Sequence, residues 1–257
     1  MMTYNAYVLL ARTTQTTPHI SLSTFDMILS LAFIVVAMLS IYAQFSVNST
    51  FGKYSEYPSR SGYTADEVAR QLLINAGITD VRVEPIRGNL TDHYDPRSKT
   101  LRLSQSVYGS RSIAAIGVAA HETGHAIQHS EGYTPLSIRS AIFPVVNIGS
   151  KLAMPLIFIG CMFYYFSFSL IVLEVAAMLF SFVVLFHLIT LPVEFNASSR
   201  AIVLLERYSF LAPDELKGAK KVLGAAAMTY VAATASSIIQ LLRIILMIMG
   251  KSGRRRD

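Results

Sequence analysis

The amino-acid sequence predicts a mainly α-helical membrane protein, with about four transmembrane helices and a small β-hairpin element beside one unusually polar helix. Three observations carry this reading. Hydrophobic residues make up 53% of the 257 positions and charged residues only 15%, a balance shifted from soluble domains toward membrane proteins. Four apolar stretches are long enough to cross the roughly 30 Å hydrocarbon core of a bilayer. Between the first two lies a segment with soluble patterning, and it contains "AAIGVAAHETGHAIQHSEGY", residues 114–133, in which His121, Glu122, His125 and His129 break an apolar helical run.

The first span is expected over 25–46, around "MILSLAFIVVAMLSIYAQF". It lies too deep in the chain, and lacks the small-residue cleavage pattern, to be a removable signal peptide. Residues 1–24 are polar and Thr-rich and read as a disordered extension. The block 141–191 suits two helices joined by a tight turn near "YYFSFS", 164–169, with Lys151 snorkelling along the first. The last span, 222–250, is rich in Ala, Ser and Thr in its first half, which suits close helix packing. Arg243 within it implies that one face meets protein or headgroups rather than lipid. The lone cysteine, Cys161, sits in an apolar run and reads as a small hydrophobe, so neither a disulfide framework nor a cysteine zinc knuckle is available.

Residues 47–140 read as a soluble region and 192–221 as a further helix and loop. In "TADEVARQLLINAG", Thr64 and Glu67 have capping-box spacing and Gly77 is a stop signal. The segments 81–86 and 100–104 alternate as strands and are expected to form a hairpin through "RGNLTDHYDPRSK". The polar helix follows at about 112–130. The net charge of +6 is spread along the chain except for the tail 251–257, "KSGRRRD". That tail reads as juxtamembrane basic sequence and gives no reason to expect a nucleic-acid partner.

On a helix, His121 and His125 are one turn apart and stack on one face, close enough to share a metal ion. Glu122 is rotated by about 100° from His121, placed to reach a metal-bound water without ligating the metal. Two imidazoles holding Zn²⁺, with a neighbouring glutamate taking a proton from water, is the zincin arrangement. The implied cofactor is one zinc ion per chain. His129 extends the series, but eight residues of helix rise about 12 Å, far beyond Zn–N bonds of about 2 Å. It is better placed to meet the negative end of the helix dipole.

A third ligand must come from elsewhere, and the candidates are His93, Glu174, His187 and Glu194. Two spans separate the polar helix from the segment after the third span, so both lie on one side of the membrane. Glu174 belongs near the opposite face and drops out. His187 falls within the bilayer, where a packed histidine is the plainer reading. Glu194, in "LPVEFNASSRA", emerges on the correct side. His93 lies in a turn-like "DHYDPRSK", where a local Asp/His/Asp network competes with a ligand role. Spacing and parity leave both Glu194 and His93 open.

Four separated blocks, "HETGHAIQ", "LTDHYDPRSKTLRLS", "LPVEFNASSRA" and "GAKKVLGAAAMTYVAA", resemble the YugP-type bacterial membrane zinc metallopeptidases and, more distantly, membrane proteases of the HtpX type. The resemblance runs from about Phe51 to the C-terminus. It implies a gluzincin site: His121, His125 and Glu194 as zinc ligands and Glu122 as general base. Gluzincins usually carry an aspartate four residues after the ligand glutamate, and this chain has Ser198 there. Asn196, or an acid of the soluble region, is the expected substitute. Arg200 is a further candidate, for an oxyanion or a substrate carboxylate.

The resulting expectation is a membrane-embedded zinc endopeptidase of the bacterial cell membrane, acting on membrane or membrane-proximal proteins held against the hairpin edge. Two other classes compete. A silent scaffold or chaperone would keep the same residues; a metal transporter would place its ligands within the spans. The basic tail puts the catalytic region outside the cell, whereas Lys53 and Arg60 after the first span, and "KGAKK" later, favour the cytoplasmic side. The first span usually weighs more, so the lean is to a cytoplasmic site.

Overall fold

A computed structural model describes residues 22–253. The expected disordered extension falls almost wholly on residues 1–21, and the end of the basic tail on 254–257, both outside the described residues. The elements run α1 (Leu22–Ser55), α2 (Ala65–Asn75), β1 (Arg82–Ile86), β2 (His93–Asp95), β3 (Thr100–Ser104), α3 (Ile113–Ser130), α4 (Thr134–Met162), α5 (Ser169–Arg207) and α6 (Pro213–Gly253).

Helices α1, α4, α5 and α6 each hold a stretch long and apolar enough to cross a membrane. Their outer faces expose Leu31, Ile41 and Phe45 on α1, and Ile148 and Phe158 on α4. Apolar surface of that extent suits lipid rather than water. The long helices form an open row: α1 packs on α6, α6 on α5 and α5 on α4, with no extended packing of α1 against α4. The α4–α5 turn falls at 163–168, as the sequence predicts. Arg243 of α6 rests over the Phe33 ring of α1, 4.8 Å from its centroid. Lys251 is buried at that end, donating to the Tyr164 and Phe166 carbonyls and to Ser169 Oγ.

Several of these helices outrun the bilayer. The 39 residues of α5 rise about 58 Å, so one end projects from any membrane it crosses and carries Glu194 onward toward the soluble elements. There α3 packs on α2, α5 and α6 over a core that includes Leu72, Leu101, Ile116 and Leu205. The Thr64–Glu67 capping box forms as expected, and Gly77 (φ 72°) turns the chain after α2. Ser112 caps α3 through the Ala115 N–H, and Gly132 (φ 65°) reverses the chain into α4.

The strand element differs from the expected hairpin. β1 and β3 are parallel, Arg82 opposite Thr100, and β2 is the antiparallel partner of β3, giving the order β1-β3-β2. The hairpin is thus 93–104. The segment joining 86 to 100 is too long for a tight turn. It reverses at Gly88 (φ 110°) and Leu90 (φ 53°) and lays down its own strand. Asp95 then closes the β2–β3 turn by accepting from Arg97 N–H and Ser98 Oγ–H. The consequence is that β2, not β1 or β3, forms the sheet edge beside α3.

Candidate metal centre

The site begins with a close helix crossing. A Cβ built on Gly124 of α3 would stand 2.8 Å from the Ala197 carbonyl oxygen of α5, a separation that real side chains do not tolerate. Only glycine lets α3 approach α5 this closely, and the turns on either side of the contact then face each other.

Across that contact His121, His125 and Glu194 converge. One potential ligand atom from each lies within 4.8 Å of the others. His121 Nε2 is 3.2 Å and His125 Nε2 3.5 Å from Glu194 Oε2. The two imidazoles stand nearly perpendicular, at 85°, with centroids 4.8 Å apart. Glu194 is almost fully buried. Burial lowers the His125 imidazole, but the Glu194 carboxylate and, further off, Glu122 more than offset it and hold it above its ordinary value. The cluster therefore favours positive charge at its centre. Two imidazole nitrogens and one carboxylate oxygen are also the donor set of a catalytic zinc, with a further position left for water.

The opposite nitrogens of both rings are engaged. His125 Nδ1 lies 3.0 Å from Gln128 Oε1, so Nδ1–H donates and Nε2 is left free for a cation. Gln128 is itself fixed, its Nε2 donating to the Val193 carbonyl and to Asn196 Oδ1, both at 2.9 Å. His121 Nδ1 meets Ser198 Oγ at 3.0 Å. Ser198 thus holds the His121 ring, at the position where gluzincins usually carry an aspartate, and it does so without a charge. Asn196 stands one step further back, behind Gln128.

Glu122 is buried beside the trio but outside it. Its Oε2 accepts the Tyr94 N–H of β2 at 2.9 Å. Tyr94 also joins its hydroxyl to His129 Nδ1 at 2.8 Å. Burial, with Asp80 and Asp95, pushes that phenol up to about 12, so it stays a neutral hydroxyl. His129 therefore anchors the edge strand. Asp92, just before β2, accepts from Ser104 N–H and Oγ–H, and burial pushes its carboxyl above the usual range.

The remaining candidates are not brought to the trio. His93 is exposed, with Nδ1 against the Thr91 carbonyl at 2.9 Å. Glu174 is exposed near the far end of α5, about 30 Å of helix rise from Glu194. His187 is about 10 Å of rise away and packs beside Phe186. Arg200 donates to Asn196 at 2.8 Å and pairs with Glu131 at 2.7 Å, facing another cavity. The arginine at the trio is instead Arg139 of α4, which donates to Glu194 Oε1 at 2.8 Å. Tyr230 of α6 also faces Glu194.

Two cavities meet at the site. One, of about 490 Å³, lies between β2, α3 and α4 and is lined by Tyr94, Glu122, His125, Arg139 and Glu194. The other, of about 260 Å³, extends toward α1 and α6.

A His/His/Glu trio with a further glutamate beside it, built where the short helix α3 meets the extended end of the membrane-spanning helix α5, fits one class: the membrane zinc metallopeptidases. Residues 29–249 match the family described as "Putative neutral zinc metallopeptidase", and the chain belongs to that family. It is 51% identical over 211 residues to "Putative membrane protease YugP" of Bacillus subtilis (strain 168), covering 82% of this chain and 92% of that protein. No solved structure matches it significantly.

Proposed function

We propose that the chain is a zinc-dependent endopeptidase that hydrolyses peptide bonds of membrane or membrane-proximal proteins, with His121, His125 and Glu194 as zinc ligands and Glu122 as general base. The observation that carries this reading is the convergence of both Nε2 atoms on Glu194 Oε2 with Glu122 alongside, its carboxylate accepting a main-chain N–H. Zinc bound there supplies a water whose pKa falls to about 7 and a Lewis acid for the carbonyl.

The protein's own groups do the rest. Glu122 takes the proton from water and returns it to the leaving amine. The Tyr94 N–H holds its carboxylate in place, so base and edge strand are set as one unit. Gln128 and Ser198 fix the imidazole orientations, and Arg139 holds the outer oxygen of Glu194. An extended substrate adds along β2, main chain to main chain, beside the larger cavity. Residues 47–140 and 192–221 form the catalytic region at the membrane surface, and 25–46, 141–191 and 222–250 cross the bilayer of the cell membrane. The charge distribution favours a cytoplasmic site.

The test is to purify the full chain in detergent with zinc supplied, then assay wild type and Glu122→Gln on an unfolded protein. About one zinc per chain in both, with cleavage only by wild type, is the expected result. Equal cleavage by both overturns the mechanism, and zinc with no cleavage by either supports a silent scaffold instead.

A further inference from the structure

Glu122, Glu194, Asp92 and Tyr230 line both cavities, so a bond held beside the trio has one cavity on each side. The two differ in chemistry. The larger is bounded by the 92–97 main chain and Arg139 and offers partners to a peptide backbone. The smaller is walled by Val47 and Phe51 of α1, Val118 of α3, and Leu223 and Ala226 of α6, with the uncharged polar side chains of Gln44, Ser198 and Thr229 among them, and no Lys or Arg among the described residues lines it. Its acids stand at the shared mouth and are already engaged: Glu122 with Tyr94, Asp92 with Ser104, Glu194 with Arg139. Away from the trio and these acids its described lining is uncharged, so a charged side chain seated there would lack an ionic partner, and burying one is costly.

Its volume of about 260 Å³ lies below the roughly 300–1,000 Å³ of small-molecule sites. That is room for one large side chain. We propose that this cavity is a side-chain pocket that directs cleavage to peptide bonds next to a large apolar residue, Leu or Phe, in preference to small or charged ones. The proposal rests on the peptidase reading and adds the specificity to it. Apolar pockets of this kind discriminate by roughly 10- to 200-fold per group filled.

The experiment uses the zinc-loaded full chain in detergent and one unstructured peptide whose central residue is Ala, Leu, Phe, Asp or Lys. Cleavage is followed with wild type, and binding by fluorescence anisotropy with Glu122→Gln. Leu and Phe peptides are expected to exceed Ala by about tenfold or more in kcat/KM and in affinity, with Asp and Lys lowest. Ala226→Leu, which fills the pocket, should reduce the Phe-to-Ala ratio at least fivefold. Val118→Ala, which enlarges it, should move the optimum from Leu toward Phe. A Phe-to-Ala ratio below fivefold in wild type, a best peptide carrying Lys or Asp, or a ratio that neither variant shifts at unchanged zinc content overturns the pocket. Selective binding by Glu122→Gln without cleavage by wild type would fail the peptidase reading and leave the pocket standing; unselective cleavage would do the reverse.

Discussion

Arg139 Nη1 donates to Glu194 Oε1 at 2.8 Å, the carboxylate oxygen that faces away from the two imidazoles. Glu194 Oε2 is the one turned to the histidines. The arginine therefore fixes which oxygen is offered to a cation, and it does so from a different membrane helix. Groups that hold metal ligands in this way typically change affinity by 10–100-fold when removed. Arg139→Ala should retain zinc about 10- to 100-fold less tightly under graded chelator. Arg139→Lys should recover part of the loss, since it keeps the charge but not the planar guanidinium geometry. Zinc retention equal to wild type in Arg139→Ala would show that the contact does not orient the carboxylate.

Glu194→Gln and Glu122→Gln should separate cleanly. The first removes a negative donor from the trio and should lose both zinc and activity. The second should lose activity alone, because Glu122 lies outside the His121/His125/Glu194 trio and its carboxylate accepts the Tyr94 N–H. His93→Ala, whose ring faces the Thr91 carbonyl, is expected to hold zinc like wild type. Zinc lost from His93→Ala and kept by Glu194→Gln would reassign the third ligand.

How much of this was legible in the sequence follows from range. His121, Glu122 and His125 share one helix, where 3.6-residue periodicity fixes their faces without tertiary information. Counting spans sufficed to discard Glu174. Gln128, three residues after His125 on the same helix, was accessible by the same logic. Arg139 left a weaker trace, a charge near the start of a largely apolar helix that also carries Lys151. Tyr94 was hidden because its role depends on which strand forms the sheet edge, and that required knowing that the 86–100 segment contains β2. Arg200 drew attention by its place two turns beyond Glu194, yet α5 rotation points it to Glu131 instead.

Asp92 predicts a pH dependence. Burial is the largest influence on its carboxyl and raises it, with the nearby Glu122 adding to the effect and the Ser104 donors only partly opposing it. A carboxyl raised in the folded state binds its proton more tightly there than in the unfolded chain. Its contribution to stability is then present below the ordinary Asp value and is lost as pH rises through the raised one. With chelator present throughout, wild type should lose stability relative to Asp92→Asn as pH rises from about 4 to 7. A melting-temperature difference that is flat across that range, in the same detergent, would show that Asp92 is not penalised by burial.

Gly124→Ala tests the contact on which the site is built. In an exposed helix interior, alanine is favoured over glycine by about 1 kcal/mol. At Gly124 the new Cβ meets the Ala197 carbonyl oxygen at 2.8 Å and the Ala197 Cα at 3.2 Å, main-chain atoms that cannot swing aside. Overpacking of this kind costs about 1–3 kcal/mol, so the clash should outweigh the gain in propensity. Relief requires α3 to shift from α5, and that carries His121 and His125 away from Glu194. Gly124→Ala should therefore melt lower than wild type and also retain zinc more weakly under chelator. Gly224→Ala, where a Cβ meets nothing within 4 Å, is the matched control and should leave zinc retention unchanged. If Gly124→Ala melts at or above wild type with its zinc affinity intact, the crossing of α3 and α5 is not what sets the metal site.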